Sequence, residues 1–511
     1  MIKNNDRRDL WTALTLLVLT ILSRIPFGTR ILYHWDSVNF AYALREFDVA
    51  KEQPHPPGYI MYVWLTRLVD LLFDDAQTTM VSISIIASAL AVVALFYLGR
   101  AMFDRQTGLI AALLLATSPL FWFYGEIALP HSLDILLVIV GVWWLYETMR
   151  GQTRYLYPAT ILLAIAGGVR QQTIIFLAPL ILFALRRIGW KQFLTAGALG
   201  AAICLLWFIP LMAQNGGISA YMETVGAFSD RFNTTTSVFM GAGWWGIQRN
   251  LRKMITYTLF GWSVALLPFA AHVALKAWRK EWSFNREKTL FFALWLAPTV
   301  IFYSLIHMGQ QGLVFVYLPA LLLWGAHGLT KLFQKSPRPT INVAIVALLA
   351  VNVVIFGLGP EHPQGGGRVR LLTRETLINS DHYFDDRFTA IQENFAPQST
   401  AILAANWHHV EYYLPEYKLL PLDVIAKWEW GEGQSTNRKE ISNLNAKDLG
   451  LTPDAHDQFT IVIFDEQLAP FNQTPEQTQS LTLKHGGQLE LFTLFTHQTL
   501  YYGPTFGLNE P

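Results

Sequence analysis

The stretch PPGYIMYVWLTRLVDLLFD, residues 56–74, decides how this chain is threaded. It is apolar enough to pass for a membrane span. It also carries Arg67 and Asp70, and charges are costly at the middle of a bilayer. The alternative is an amphipathic helix lying in the outer interface. The two readings differ by one crossing, so they invert the sidedness of every later loop.

The loops arbitrate. A crossing helix needs about 20 apolar residues. Spans are expected at 10–27, 77–99, 107–123, 131–148, 156–170, 173–186, 192–213, 254–275, 289–306, 313–333 and 340–358. The pair 156–170 and 173–186 is short and reads as a broken or re-entrant unit. With the N-terminus cytoplasmic, the inside loops carry Arg7 and Arg8; Arg100 and Arg105; Arg150 and Arg154; Arg186, Arg187 and Lys191; Lys276, Arg279, Lys280, Arg286 and Lys288; and Lys331, Lys335 and Arg338. Each obeys the rule that cytoplasmic loops are enriched in Lys and Arg. Making 56–74 a span breaks that rule repeatedly.

Composition supports the same class. The chain is 52% hydrophobic and only 15% charged, against roughly 25% charged in soluble proteins. The net charge of +1, with no basic tract, argues against a nucleic-acid partner. A single cysteine, Cys204, rules out a disulfide within the chain. The apolar run Leu10 to Pro26 follows Arg7 and Arg8 and lacks a small-residue cleavage site, so it reads as a retained signal anchor.

The expected fold is an α-helical polytopic membrane domain over residues 1–359, with a small soluble α/β domain over 360–511. Gly365-Gly366-Gly367 marks the linker. Thr400–Ala405 and Phe459–Phe464 read as buried strands, and Asp381–Asn394 as a helix. Eleven spans put this C-terminal domain outside. The membrane is then the plasma (inner) membrane.

On this topology the notable polar residues collect at the outer face. The first outer loop, about 28–76, holds Asp36 beside His34 and Trp35, and His55 within HPPGY. The next turn holds Glu126 and His131, spaced to pair or cap, with Asp134 one helical turn below His131 as its partner. Arg170 sits in GGVRQQ. Arg249 and Arg252 lie three apart, on one helical face. His307, Gln310 and Tyr317 complete the set. The bland alternative is solvation for Asp48 and Glu52, and hydrogen-bonded packing for the Gln pairs 171–172 and 310–311. His408-His409 reads as a surface pair. Guanidinium groups chelate phosphate bidentately and stay charged.

Asp36 after Trp35, the PHPPGY element, SPLFWFYGEIALPHSLD and GGVRQQ together resemble the GT-C glycosyltransferases of the family 39 type. That group includes the protein O-mannosyltransferases and the bacterial aminoarabinose transferase, and the resemblance covers roughly residues 10–330. It implies transfer of a sugar from a polyprenyl-phosphate donor to an acceptor hydroxyl at the extracytoplasmic face, with inversion and Asp36 as general base. His34, His55, Glu126, His131, Arg170, Arg249, Arg252, His307, Gln310 and Tyr317 are the substrate-binding candidates. The expected partners are the lipid-linked donor, a lipid, glycan or protein acceptor, and membrane lipids. Better-known members often carry Asp-Glu where this chain has Asp36-Ser37, so no metal residue is assigned, although a divalent cation (Mg or Mn) is compatible with the family. The competing class is a polytopic transporter or lipid-linked glycan flippase. It predicts internal inverted repeats and a midplane site, neither of which the sequence displays.

Overall fold

The computed structural model describes residues 4–281, 285–363, 370–422, 424–427, 432–435, 442–445 and 449–509. Gly365-Gly366-Gly367 falls outside them. The chain forms two compact units. One comprises Met1–Arg30, Asn39–Glu361 and Leu372–Leu377; the other comprises Ile31–Val38, His362–Leu371 and Ile378–Pro511.

The first unit is helical. Among the described residues, seven of its helices are long and apolar enough to cross a membrane: Arg7–Phe27, Ala76–Met102, His131–Met149, Trp190–Gln214, Gly243–Arg279, Arg286–Leu305 and Arg338–Leu358. The other predicted spans fall on shorter helices, Arg105–Thr117, Leu156–Val169, Gln171–Leu185 and Leu318–Leu332. Only 17% of the apolar window of Arg338–Leu358 is buried. A face that apolar, turned outward, is stable in lipid and not in water. The protein is an integral membrane protein.

Packing centres on Ala76–Met102, which lies against Arg105–Thr117 and His131–Met149. A Cβ on Gly99 would fall 2.6 Å from the Cα of Gly108, so these two helices meet backbone to backbone. The Asp104 carboxylate caps Arg105–Thr117 by accepting the Thr107 N–H at 2.8 Å.

The decisive stretch forms the helix Ile60–Phe73, 14 residues long. At 1.5 Å per residue it spans about 21 Å, short of the roughly 30 Å hydrocarbon core. Leu68, Leu71 and Leu72 are exposed on it. Arg67 donates to the Ala43 carbonyl at 2.7 Å, and Asp70 accepts from Thr79 Oγ1 at 2.7 Å. The predicted broken pair is two helices, Leu156–Val169 and Gln171–Leu185, interrupted at Arg170, whose backbone is extended.

The second unit is α/β. Its strands are β1 Thr400–Ala404, β2 Lys418–Pro421, β3 Val424–Lys427, β4 Glu432–Ser435, β5 Ser442–Asn445, β6 Gln458–Ile463, β7 Gln479–Thr482, β8 Gln488–Phe495, β9 Thr499–Tyr502 and β10 Phe506–Asn509. The main sheet has the order β2-β1-β6-β8-β7. β2, β1 and β6 run parallel; β8 and β7 are antiparallel. The fully buried pattern of β1 suits a central parallel strand covered on both faces. One face packs Ile402, Ala404, Val462 and Leu489 on the helix Arg374–Asn394 through Phe384, Phe388 and Ile391. Ile31 joins that cluster.

Candidate active site

The turn between Tyr124 and His131 has little regular structure, so side chains satisfy its backbone. Thr29 Oγ1 donates to the Glu126 carbonyl at 3.2 Å, and Ser84 Oγ to that of Ile127 at 2.8 Å. Ser132 Oγ donates to the Tyr124 carbonyl at 2.8 Å. The Glu126 carboxylate is fully enclosed, 3.9 Å from Arg24 Nε. Burial pushes its carboxyl well above the usual range, and Arg24 opposes that. Arg24 also donates to the Ala116 carbonyl at 2.7 Å and lies 4.5 Å above the Trp122 ring. The expected pairing of Glu126 with His131 is therefore replaced by one with Arg24.

His131 pairs instead with Gln310, Nε2 to Oε1 at 2.9 Å. Because the amide oxygen only accepts, the imidazole places its proton on Nε2. The His131 ring meets Tyr124 edge-on at 4.9 Å. Gly312 lies against it: a Cβ there would fall 2.7 Å from His131 Cγ. Two candidates far apart in sequence thus share one contact.

Asp134 does not serve His131. Its oxygens accept from Thr173 Oγ1 at 2.7 Å and Arg170 Nη1 at 3.4 Å. Arg170 also donates to Tyr303 Oη at 3.1 Å and Gln172 Oε1 at 3.3 Å. All of Asp134, Arg170, Thr173 and Tyr303 are buried. The helix break gives the guanidinium this position, since no continuous helix presents that backbone. Beside it, Gln171 Nε2 and Tyr221 Oη both donate to the Pro57 carbonyl, at 3.3 and 2.9 Å. That clamp holds the PPGY turn, whose Gly58 has φ +100 and has Leu211 Cδ1 only 2.8 Å from where a Cβ would sit. His55 stacks near-parallel on Phe228 and meets Phe40 edge-on.

The basic group lies on Gly243–Trp262. Arg252 is exposed, while Arg249 and Lys253 are half-buried. Asn250 fixes the adjoining loop ends: its Nδ2 donates to the Thr236 carbonyl at 2.9 Å, and its Oδ1 accepts the Met308 N–H at 3.2 Å. His307 lies 3.2 Å from Thr236 Oγ1. Burial, then the charges of Arg249 and Lys253, hold His307 down at about 4, so its ring is neutral at pH 7. Phe239, Trp244 and Trp245 are exposed at the start of this helix, as aromatic residues are at a bilayer interface. Tyr317 is buried and shares a 2.6 Å hydrogen bond with Thr258.

Asp36 and His34 belong to the second unit. His34 caps the helix Trp35–Arg45: its Nδ1 accepts the Asp36 N–H at 3.1 Å and lies 3.3 Å from Asp36 Oδ2. The segment is moored through both backbone groups of one residue, Leu32. Leu32 N–H donates to Tyr413 Oη at 3.0 Å, and the Leu32 carbonyl accepts from His409 Nε2 at 2.8 Å. His409 is thus buried, where a surface residue is expected. Among the described residues no three His, Cys, Asp or Glu side chains are grouped to share a metal ion.

Residues 54–213 match the family model for dolichyl-phosphate-mannose-protein mannosyltransferase. The undecaprenyl phosphate-alpha-4-amino-4-deoxy-L-arabinose arabinosyl transferase of Yersinia enterocolitica is 23% identical over 377 residues, 68% of this chain. The match spans about 65% of that relative's length. In structure, ArnT from Cupriavidus metallidurans bound to undecaprenyl phosphate matches with TM-score 0.54 at 12% identity, covering 95% of this chain and 97% of the other. The fold is that of a GT-C glycosyltransferase related to the aminoarabinose transferases. The apo form of the same ArnT matches this GT-C fold with TM-score 0.53 at 11% identity, covering 95% and 98% of the two chains.

Sequence reading missed Arg24, Tyr221, Thr236, Asn250 and Tyr303. Arg24 inside an apolar span carries a signal, since a buried cation requires a partner. The others are ordinary polar residues whose roles come from distant chain.

Proposed function

We propose that this protein is a membrane glycosyltransferase that moves a sugar from a polyprenyl-phosphate donor to an acceptor hydroxyl at the extracytoplasmic face, with inversion and Asp36 as general base. Residues 1–359 supply the membrane catalytic domain and 360–511 an extracytoplasmic domain. The observation that carries the reading is the carboxylate of Asp36, set in the first turn of a capped helix within a GT-C fold whose ArnT relative binds undecaprenyl phosphate.

In this reaction the acceptor oxygen attacks the anomeric carbon as Asp36 takes its proton. The bond from that carbon to the phosphate oxygen breaks, and the electron pair leaves with the lipid phosphate. That leaving group is already good, so the chain's task is charge stabilisation and positioning. Arg249 and Arg252 are assigned to the phosphate. Arg170, matched by Asp134 and enclosed, is assigned to fixing the helix break beside the Gln171–Tyr221 clamp on the PPGY turn. His131 with Gln310 offers hydrogen-bonding groups suited to sugar hydroxyls.

The test is transfer by the purified protein from a panel of radiolabelled polyprenyl-phosphate sugars. Asp36→Asn abolishes transfer while leaving expression and thermal unfolding near those of the wild type. Equal transfer by both proteins removes Asp36 as the base.

A further inference from the structure

The second unit places four aromatic residues in a row beside Asp36. The His34 and Trp35 rings meet edge-on at 5.4 Å; Trp35 faces His408 at 6.1 Å; His408 stacks on Trp407 at 3.5 Å and 21°. Trp35 is 52% exposed, although it starts the helix that carries Asp36. Trp407 and His408 are half-buried. The row lies next to the carboxyl end of β1, where open α/β sheets with parallel strands bind ligands.

The row is rigid. The neighbours of its members are locked: Leu32 by Tyr413 and His409, and His409 itself by burial against Phe384 at 4.1 Å and 14°. The strip offers the exposed Trp35 ring with the His34 and His408 imidazoles set at an angle beside it, which suits a sugar ring, whose C–H face packs on aromatic carbon while its hydroxyls take hydrogen bonds. A lipid chain would call for a continuous apolar groove, and the apolar residues beneath the strip are closed into the sheet's core.

We propose that His34, Trp35, Trp407 and His408 form an acceptor subsite for a saccharide, so that the hydroxyl presented to Asp36 belongs to a glycan and not to a protein side chain. This rests on the assignment of Asp36 as base. The chemistry is the transfer already written: a sugar oxygen of the acceptor gains the glycosyl bond, its proton goes to Asp36, and the lipid phosphate leaves with the electron pair.

The test separates binding from turnover. Full-length protein in detergent is probed by saturation-transfer NMR with chitotriose, maltotriose and a Ser/Thr-containing peptide. At least one trisaccharide receives saturation and the peptide does not. Trp35→Ala and His408→Ala weaken trisaccharide binding about ten-fold, while Trp35→Phe, which keeps a ring, largely retains it. In transfer assays the same two alanine variants raise the acceptor KM about ten-fold with the donor KM moving less than about two-fold. Peptide binding in place of saccharide binding, or saccharide binding that survives both alanine variants, overturns the subsite. Weakened saccharide binding by His408→Ala supports the subsite even where Asp36→Asn still transfers, an outcome that removes only the base assignment.

Discussion

Replacing His409 with Ala tests whether the acid-bearing segment is held by the α/β unit. The Leu32 carbonyl loses the N–H that reaches it at 2.8 Å. A buried acceptor left unmade costs about 1–3 kcal/mol. The ring stacked on Phe384 at 4.1 Å also goes, worth about 0.5–1.5 kcal/mol more. Together the loss is about 1.5–4.5 kcal/mol, so local opening of Ile31–Val38 should rise roughly 10- to 1,600-fold. Hydrogen exchange read by mass spectrometry on the peptide spanning 31–38 measures this directly. His409→Gln, whose amide N–H reaches about as far as Nε2, restores much of the protection. Unchanged exchange in His409→Ala refutes the claim that this histidine moors the segment.

Other outcomes follow from the same geometry. Asp134→Ala strands the buried Arg170 guanidinium and should cost about 3–5 kcal/mol in thermal unfolding, with Asp134→Ala/Arg170→Leu recovering part of it; equal losses in the single and double variants count against a coupled pair. Gly312→Ala drives a methyl into His131 and should cost about 1–3 kcal/mol and reduce transfer, a loss readable by melting and by kcat. Burial holds His409 at about 3 against an ordinary 6.5, so the unfolded chain takes up a proton that the folded chain refuses. The contribution of His409 is therefore complete above pH 6.5 and falls as pH drops from 6.5 toward 3, by up to about 1.4 kcal/mol per pH unit. Melting followed from pH 7.5 to 5 should show that slope in the wild type and a shallower one in His409→Gln.

Much of the fold is legible along the chain because lipid imposes a simple rule. Apolar length is a local quantity, so the span at 131–148 can be taken from a short window. The break at Arg170 is visible for the same reason: an arginine flanked by Gly167-Gly168 and Gln171-Gln172 interrupts two apolar runs. The site is legible only in its ingredients. His131 was identifiable as a polar residue at a span's end, but its partner Gln310 is 179 positions away. Asp134 was given to His131 by proximity in sequence, whereas Arg170 and Thr173 claim it because a buried carboxylate takes the strongest donors within reach.

The sequence alone determined that this is a polytopic membrane chain with an α/β unit at its end, since bilayer thickness and strand burial each leave a periodic mark on composition. Only the tertiary structure decided that residues 31–38 are grouped with that distant unit, and that His409 is an interior clamp. Those assignments rest on single hydrogen bonds and ring contacts between segments at least 350 residues apart, and specificity of that kind has no signature in local hydropathy.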